Sequence, residues 1–101
     1  MQISERDRMS ILVWATRHRK VEAVWLYGSR ARGDNRPDSD IDLAVVMGFG
    51  DWMFWYADYK AKPDLHMSHP AHLEWYHPDA TDLERVGPGV RKDGILLYRR
   101  G

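Results

Sequence analysis

The chain has 101 residues, enough for one domain with one modest core. Fifteen basic residues balance fifteen acidic ones, so no net field recruits nucleic acid, which is not expected to be required, and no acidic excess marks a disordered tail. The absence of cysteine excludes disulfides, thiolate metal sites and cysteine nucleophiles. No apolar run approaches the roughly 20 residues of a membrane span, and the charged opening MQISERDRMS lacks a signal-peptide core, so the expected compartment is the cytoplasm.

Ser4 is a good N-cap, and Asp7 three residues on completes a box-like pattern with a shorter acid. Met9, Leu12, Val13 and Thr16 then recur at helical spacing, which predicts an amphipathic helix over 5–18. Val21 to Tyr27 (VEAVWLY) reads as a buried strand that stops at Gly28. Asp34 to Asp38 is turn-forming, and 39–47 (SDIDLAVVM) reads as a second strand broken by Gly48 and Gly50.

Asp51 to Lys62 carries Trp52, Trp55, Tyr56 and Tyr59 on one helical face, with Asp51 as the candidate cap and Pro63 at the end. The bland reading of that aromatic face is core, and the alternative is a docking surface. Residues 64–71 could be short strand or loop. HLEWYH (72–77) alternates like a strand, 79–92 suggests a short helix interrupted near Gly87-Pro88-Gly89, and 95–98 suggests a last strand. The expected fold class is α/β (α+β): a small mixed β-sheet flanked by helices, in a single domain spanning 1–101.

The chemistry concentrates in GSRARGDNRPDSDIDLAV, residues 28–45. Alternation on a strand projects Asp40 and Asp42 from one side and sends Ile41 and Leu43 into the core. Two neighbouring carboxylates call for a cation, and hard oxygen donors suit magnesium. Before them, a strand ending in Gly28-Ser29 and opening a short helix points backbone N–H groups at an anion. Ser29 adds a hydroxyl, and Arg30 and Arg32 are candidates for added positive charge. A phosphate cradle beside a carboxylate pair suits in-line nucleotidyl or phosphoryl transfer with two Mg2+ ions. A P-loop is disfavoured because no Gly-Lys-Ser/Thr follows, and Arg32-Gly33-Asp34 is treated as coincidence.

Gly28-Ser29 followed by Asp40-x-Asp42 resembles the signature of the polymerase-β-type nucleotidyltransferase superfamily, and GSRARG…SDIDLAV resembles its minimal nucleotidyltransferase branch. VRKDGILLY, near the C-terminus, resembles that branch's closing segment. The resemblance implies a nucleotidyltransferase fold and transfer of a nucleoside monophosphate, AMP from ATP, to an acceptor hydroxyl. It also implies Gly28 and Ser29 at the nucleotide, where Arg30 and Arg32 are expected to join them unless either is a solvated surface residue, and a HEPN-type helical partner, as in toxin–antitoxin pairs, or a homo-oligomer. The family places a third acid on a neighbouring strand. Glu74 is the preferred candidate to join Asp40 and Asp42 as metal ligand and catalytic group, with Asp64 the alternative; a Glu where the family has Asp changes the metal geometry. The rival readings are a catalytically weak protein that acts by binding a partner, and a zinc site on His66, His69 and His72, which Pro70 disfavours by interrupting any shared helix.

Overall fold

A computed structural model describes residues 2–80 and 86–101. The first helix, α1 (Glu5–Arg17), begins where the cap pattern places it, with the Asp7 N–H donating to Ser4 Oγ at 3.0 Å. Asp7 does not close a capping box. Its buried carboxylate accepts from the backbone N–H of Ser68 at 2.9 Å and from the Ser68 hydroxyl, tying the first turn of α1 to the segment before the third strand. The inward face of α1 is also not the predicted one. Ile11, Trp14 and Ala15 are buried, while Met9 and Val13 are about half exposed. Trp14 settles the rotation, because its large ring goes inward only where the indole N–H finds an acceptor, and Asp64 Oδ1 provides one at 2.9 Å.

The remaining elements are β1 (Ala23–Tyr27), α2 (Ser29–Arg32), β2 (Ile41–Val46), α3 (Phe49–Ala61), β3 (Ala71–Tyr76), α4 (Val86–Asp93) and β4 (Ile95–Arg99). Residues 62–70 form no helix or strand. Gly48, not Asp51, is the N-cap of α3; Asp51 sits in the first turn, where the helix dipole favours an acid. The expected interruption at Gly87-Pro88-Gly89 is absent, and α4 runs through it. Pro88 falls in the first turn, where its missing N–H would have had no intrahelical acceptor. The part of the predicted 79–92 helix that covers 81–85 lies outside the described residues. No helix among the described residues is long and apolar enough to cross a membrane.

Among the described residues the strands form one mixed sheet in the order β3-β2-β1-β4. β1 is antiparallel to β2 and β4, and β2 is parallel to β3, with α3 in the β2–β3 crossover. One face of the sheet (Val24, Leu26, Ile41, Leu43, Val45, Leu73) packs against α1 and α3. The other face (Ala23, Tyr27, Ala44, Val46, Tyr76) packs against Val86 and Val90 of α4. This is the small mixed sheet flanked by helices that the pattern predicts. Trp52, Trp55, Tyr56 and Tyr59 pack half-buried against the first core, with Trp52 on Tyr56 at 4.4 Å and Trp55 on Tyr59 at 5.5 Å. The exposed apolar side of α3 is a different one, carrying Met53 and Phe54.

Candidate active site

The site grows from the end of β1. Its residue pairing sets Tyr27 directly across from Asp42. The chain then turns at Gly28, whose φ of 75° and ψ of −157° lie in a region essentially reserved for glycine. A side chain there is excluded for a second reason, since a Cβ would stand 2.6 Å from Asp42 Oδ2. The bend therefore brings the backbone against a carboxylate. It also opens α2, in which the N–H groups of Ala31 and Arg32 return to Gly28 O, both at 3.1 Å. Helix geometry gives the N–H groups of Ser29 and Arg30 no intrahelical acceptor.

This bend faces outward into a cleft of about 310 Å³ lined by Tyr27, Gly28, Ser29, Arg32, Asp42 and Gly89. Gly89 forms part of the wall because α4 approaches Tyr27 closely; a Cβ there would lie 3.2 Å from the Tyr27 ring. A larger groove of about 540 Å³ runs along the outer side of α1, but its carboxylate, Asp64, already accepts from Trp14 and His18. The smaller cleft combines an acid with a bend whose first backbone N–H groups have no intrahelical acceptor, and it is the stronger candidate.

Ile41 and Leu43 are fully buried, so Asp42 projects from the opposite face, as the alternation predicts. Asp40 stands just before β2, exposed and of the same parity. The two predicted arginines separate. Arg32 lines the cleft, with Nε on Asp34 at 3.1 Å and Nη1 3.6 Å from Asp93; the hydrogen bond and charge of Asp34 raise its pKa above the ordinary value. Arg30, expected at the nucleotide, is buried and donates to the carbonyls of Gln2, Pro37 and Ser39. It clamps α2 to the turn before β2 instead of facing the cleft. A buried guanidinium takes whatever fork of acceptors surrounds it, and here these are backbone carbonyls.

The third-acid expectation meets a different geometry. In the parallel pairing of β2 with β3, His72 is level with Asp42, and Glu74 is level with Ala44. His72 Nδ1 lies 3.3 Å from Asp42 Oδ1, and its Nε2 lies 3.0 Å from Glu74 Oε1. Glu74 is thus joined to Asp42 through an imidazole. Among the described residues no three His, Cys, Asp or Glu side chains are grouped to hold a metal ion.

Asp64 belongs to another network. It accepts from Trp14 Nε1 at 2.9 Å and from His18 Nε2 at 2.8 Å, while His18 Nδ1 accepts from Trp55 Nε1 at 3.0 Å. Burial acts to raise its pKa, but these hydrogen bonds outweigh that and leave it below the ordinary value. The three histidines of the zinc reading have separate surroundings: His69 contacts Ser68, His72 the two acids, and His66 the groove beside α1. Sequence reasoning weighed His72 only as a zinc ligand, not as the neighbour of Asp42, and missed Tyr27 and Gly89. For His72 a signal existed, since AHLEW repeats the apolar–polar–Leu order of IDLAV, the strand it pairs with.

Fold and cleft together define an α/β domain in which an outward-facing glycine bend opens a cleft beside a strand-borne acid. The family model for polymerase beta nucleotidyltransferases matches residues 10–100, and the chain belongs to that family. The crystal structure of a toxin–antitoxin with AMP-PNP is similar at a TM-score of 0.54 and 20% identity, over 92% of this chain and 73% of that one. A crystal structure described as a nucleotidyltransferase from Sulfolobus solfataricus is similar at a TM-score of 0.51 and 21% identity, over 99% of this chain and 93% of that one. No curated protein matches the chain.

Proposed function

We propose that this nucleotidyltransferase moves a nucleoside monophosphate, AMP from ATP in the first instance, onto an acceptor hydroxyl at the Gly28–Asp42 cleft. The observation that carries the reading is the outward-facing Gly28–Ser29 bend, set so close to Asp42 that no side chain fits between them. The N–H groups of the bend and the Ser29 hydroxyl hold the triphosphate, and Arg32 adds positive charge at the cleft wall. The acceptor oxygen bonds to the α-phosphorus as the bond to pyrophosphate breaks. The hydroxyl proton passes to water, and pyrophosphate leaves.

Magnesium fits this site in one form. A closed three-carboxylate cage does not match the side chains among the described residues, but magnesium is commonly held by one or two carboxylates together with substrate phosphates. Asp40 and Asp42 are the residues that would hold it, and bound there it would offset phosphate charge. The chain's own contribution is positioning: Ile41 and Leu43 anchor the strand, and Gly28 admits the nucleotide to the acid.

A second reading, a weakly catalytic protein that acts by binding a partner, is favoured by His72 standing beside Asp42 in place of an acid. The similarity to a toxin–antitoxin structure supports a protein as partner or acceptor, with a HEPN-type helical protein the one to test. Incubation with ATP labelled at the α-phosphate, magnesium and candidate acceptors separates the readings. Label transfer by the wild type and its loss in Asp42→Asn supports the enzyme. Transfer that survives Asp42→Asn refutes the assignment of the site, and tight partner binding without transfer supports the second reading.

A further inference from the structure

We propose that the cleft binds a single divalent cation, delivered with the nucleotide, because His72 occupies the place where a second ion would need a carboxylate. The inference rests on the nucleotide reading above and adds the metal count.

Two divalent cations held about 3.5–4 Å apart repel strongly and need several anionic donors to share them. Among the described residues, the side chains paired with Asp42 do not supply that charge. On β1 the residue across from Asp42 is Tyr27, and on β3 it is His72. Imidazole brings no negative charge, and magnesium prefers oxygen to nitrogen. The nearest further acid on that face of β3, Glu74, is level with Ala44, two residues along, or roughly 6.6 Å at the rise of a strand. Its carboxylate is engaged by His72 Nε2 at 3.0 Å, with the ring lying between it and Asp42. The two oxygens of Asp42 also face different surroundings: Oδ1 meets His72, and Oδ2 lies at the Gly28 bend. The metal-facing side of Asp42 is therefore the side next to the phosphate cradle. One ion can take Asp42 Oδ2 and phosphate oxygens there, while the opposite side is closed by a ring.

The test is equilibrium dialysis of the whole chain against Mn2+ and the non-hydrolysable analogue α,β-methylene-ATP, reading retained manganese per retained analogue. Wild type and His72→Asn should both give a ratio of about one, and His72→Asp, which restores an acid level with Asp42, about two. Thermal melting by circular dichroism checks that each variant is folded. A ratio of about two in the wild type overturns the inference. So does a folded His72→Asp that retains the analogue at a ratio of about one, because His72 is then not what excludes a second ion. If His72→Asp does not fold, the wild-type ratio decides alone. Retention of no analogue by the wild type at any manganese concentration overturns the nucleotide reading itself, and this inference with it.

Discussion

Gly28→Ala separates the geometry of the cleft from the general cost of changing a turn. Holding alanine in the backbone conformation of Gly28, φ 75° and ψ −157°, costs about 1–3 kcal/mol. Its Cβ would also lie 2.6 Å from Asp42 Oδ2, a distance that cannot persist. The carboxylate is the free end of a side chain, so it will swing away, and the acid then leaves the phosphate cradle. Loss of one charge-assisted contact, about 1.5–3 kcal/mol, corresponds to a roughly ten- to hundredfold rise in Kd for a magnesium-bound ATP analogue. Gly33→Ala is the control. Gly33 is left-handed at φ 86° and ψ 11°, but the nearest atom to its Cβ would be Gln2 Cγ at 3.9 Å. It should lose about 1–2 kcal/mol of stability and no affinity. Urea unfolding gives the first quantity and fluorescence titration the second. Wild-type affinity in Gly28→Ala, or equal affinity losses in the two variants, would refute the reasoning.

Arg30→Ala should cost at least about 1.5–3 kcal/mol in urea unfolding, because the carbonyls of Gln2, Pro37 and Ser39 lose a buried cationic donor. Arg30→Lys should recover only part of that, since an ammonium cannot span the same fork, and folded Arg30→Lys should bind nucleotide normally. Arg32→Ala should leave the urea midpoint close to that of the wild type and weaken ATP-analogue binding in the fluorescence titration. For Asp7, burial acts to raise the pKa but hydrogen bonds from Ser68 outweigh it; Asp64 behaves alike with Trp14 and His18, so both titrate below 3.8 in the folded chain. The unfolded state then takes up protons first, so their stabilisation is present above pH 3.8 and is lost as pH falls through the lower folded values. Urea midpoints of Asp7→Asn/Asp64→Asn should therefore fall less than wild type between about pH 6 and about pH 3.

What was legible in the sequence was whatever depends on local period and on special backbone. Alternation put Asp42 opposite the buried Ile41 and Leu43, and the glycine before Ser29 marked the bend. What was not legible depended on contacts between distant segments. The periodicity of α1 fits Met9–Val13 as well as Ile11–Trp14–Ala15, and only the acceptor Asp64, fifty residues away, decides between them. Arg30 and Arg32 look alike in GSRARG, yet one meets carbonyls from Gln2 and Ser39 and the other lines the cleft. Spacing along the chain singled out Glu74 as the acid nearest the expected interval, whereas neighbours across a parallel pair follow register, which sets His72 beside Asp42 and Glu74 beside Ala44.

The placement of Asp42 also explains how a central strand can carry a charge. Along β2 the face that bears Asp42 changes within one step, from a carboxylate side chain about 30% exposed to Ala44, fully buried, and then to Val46 under α4. A carboxylate two residues further in would be buried beneath α4, at a desolvation cost that opposes folding. At the start of the strand it keeps access to the cleft, while Ile41 and Leu43 on the reverse side fix its backbone in the main core. Ser29 enters the same cleft from the end of β1, the strand paired with β2, so acid and cradle are referred to one rigid antiparallel pair. A rigid pair of that kind is the preorganisation that the proposed transfer would draw on, and β3, with His72 and Glu74, is the strand on which the proposed metal count turns.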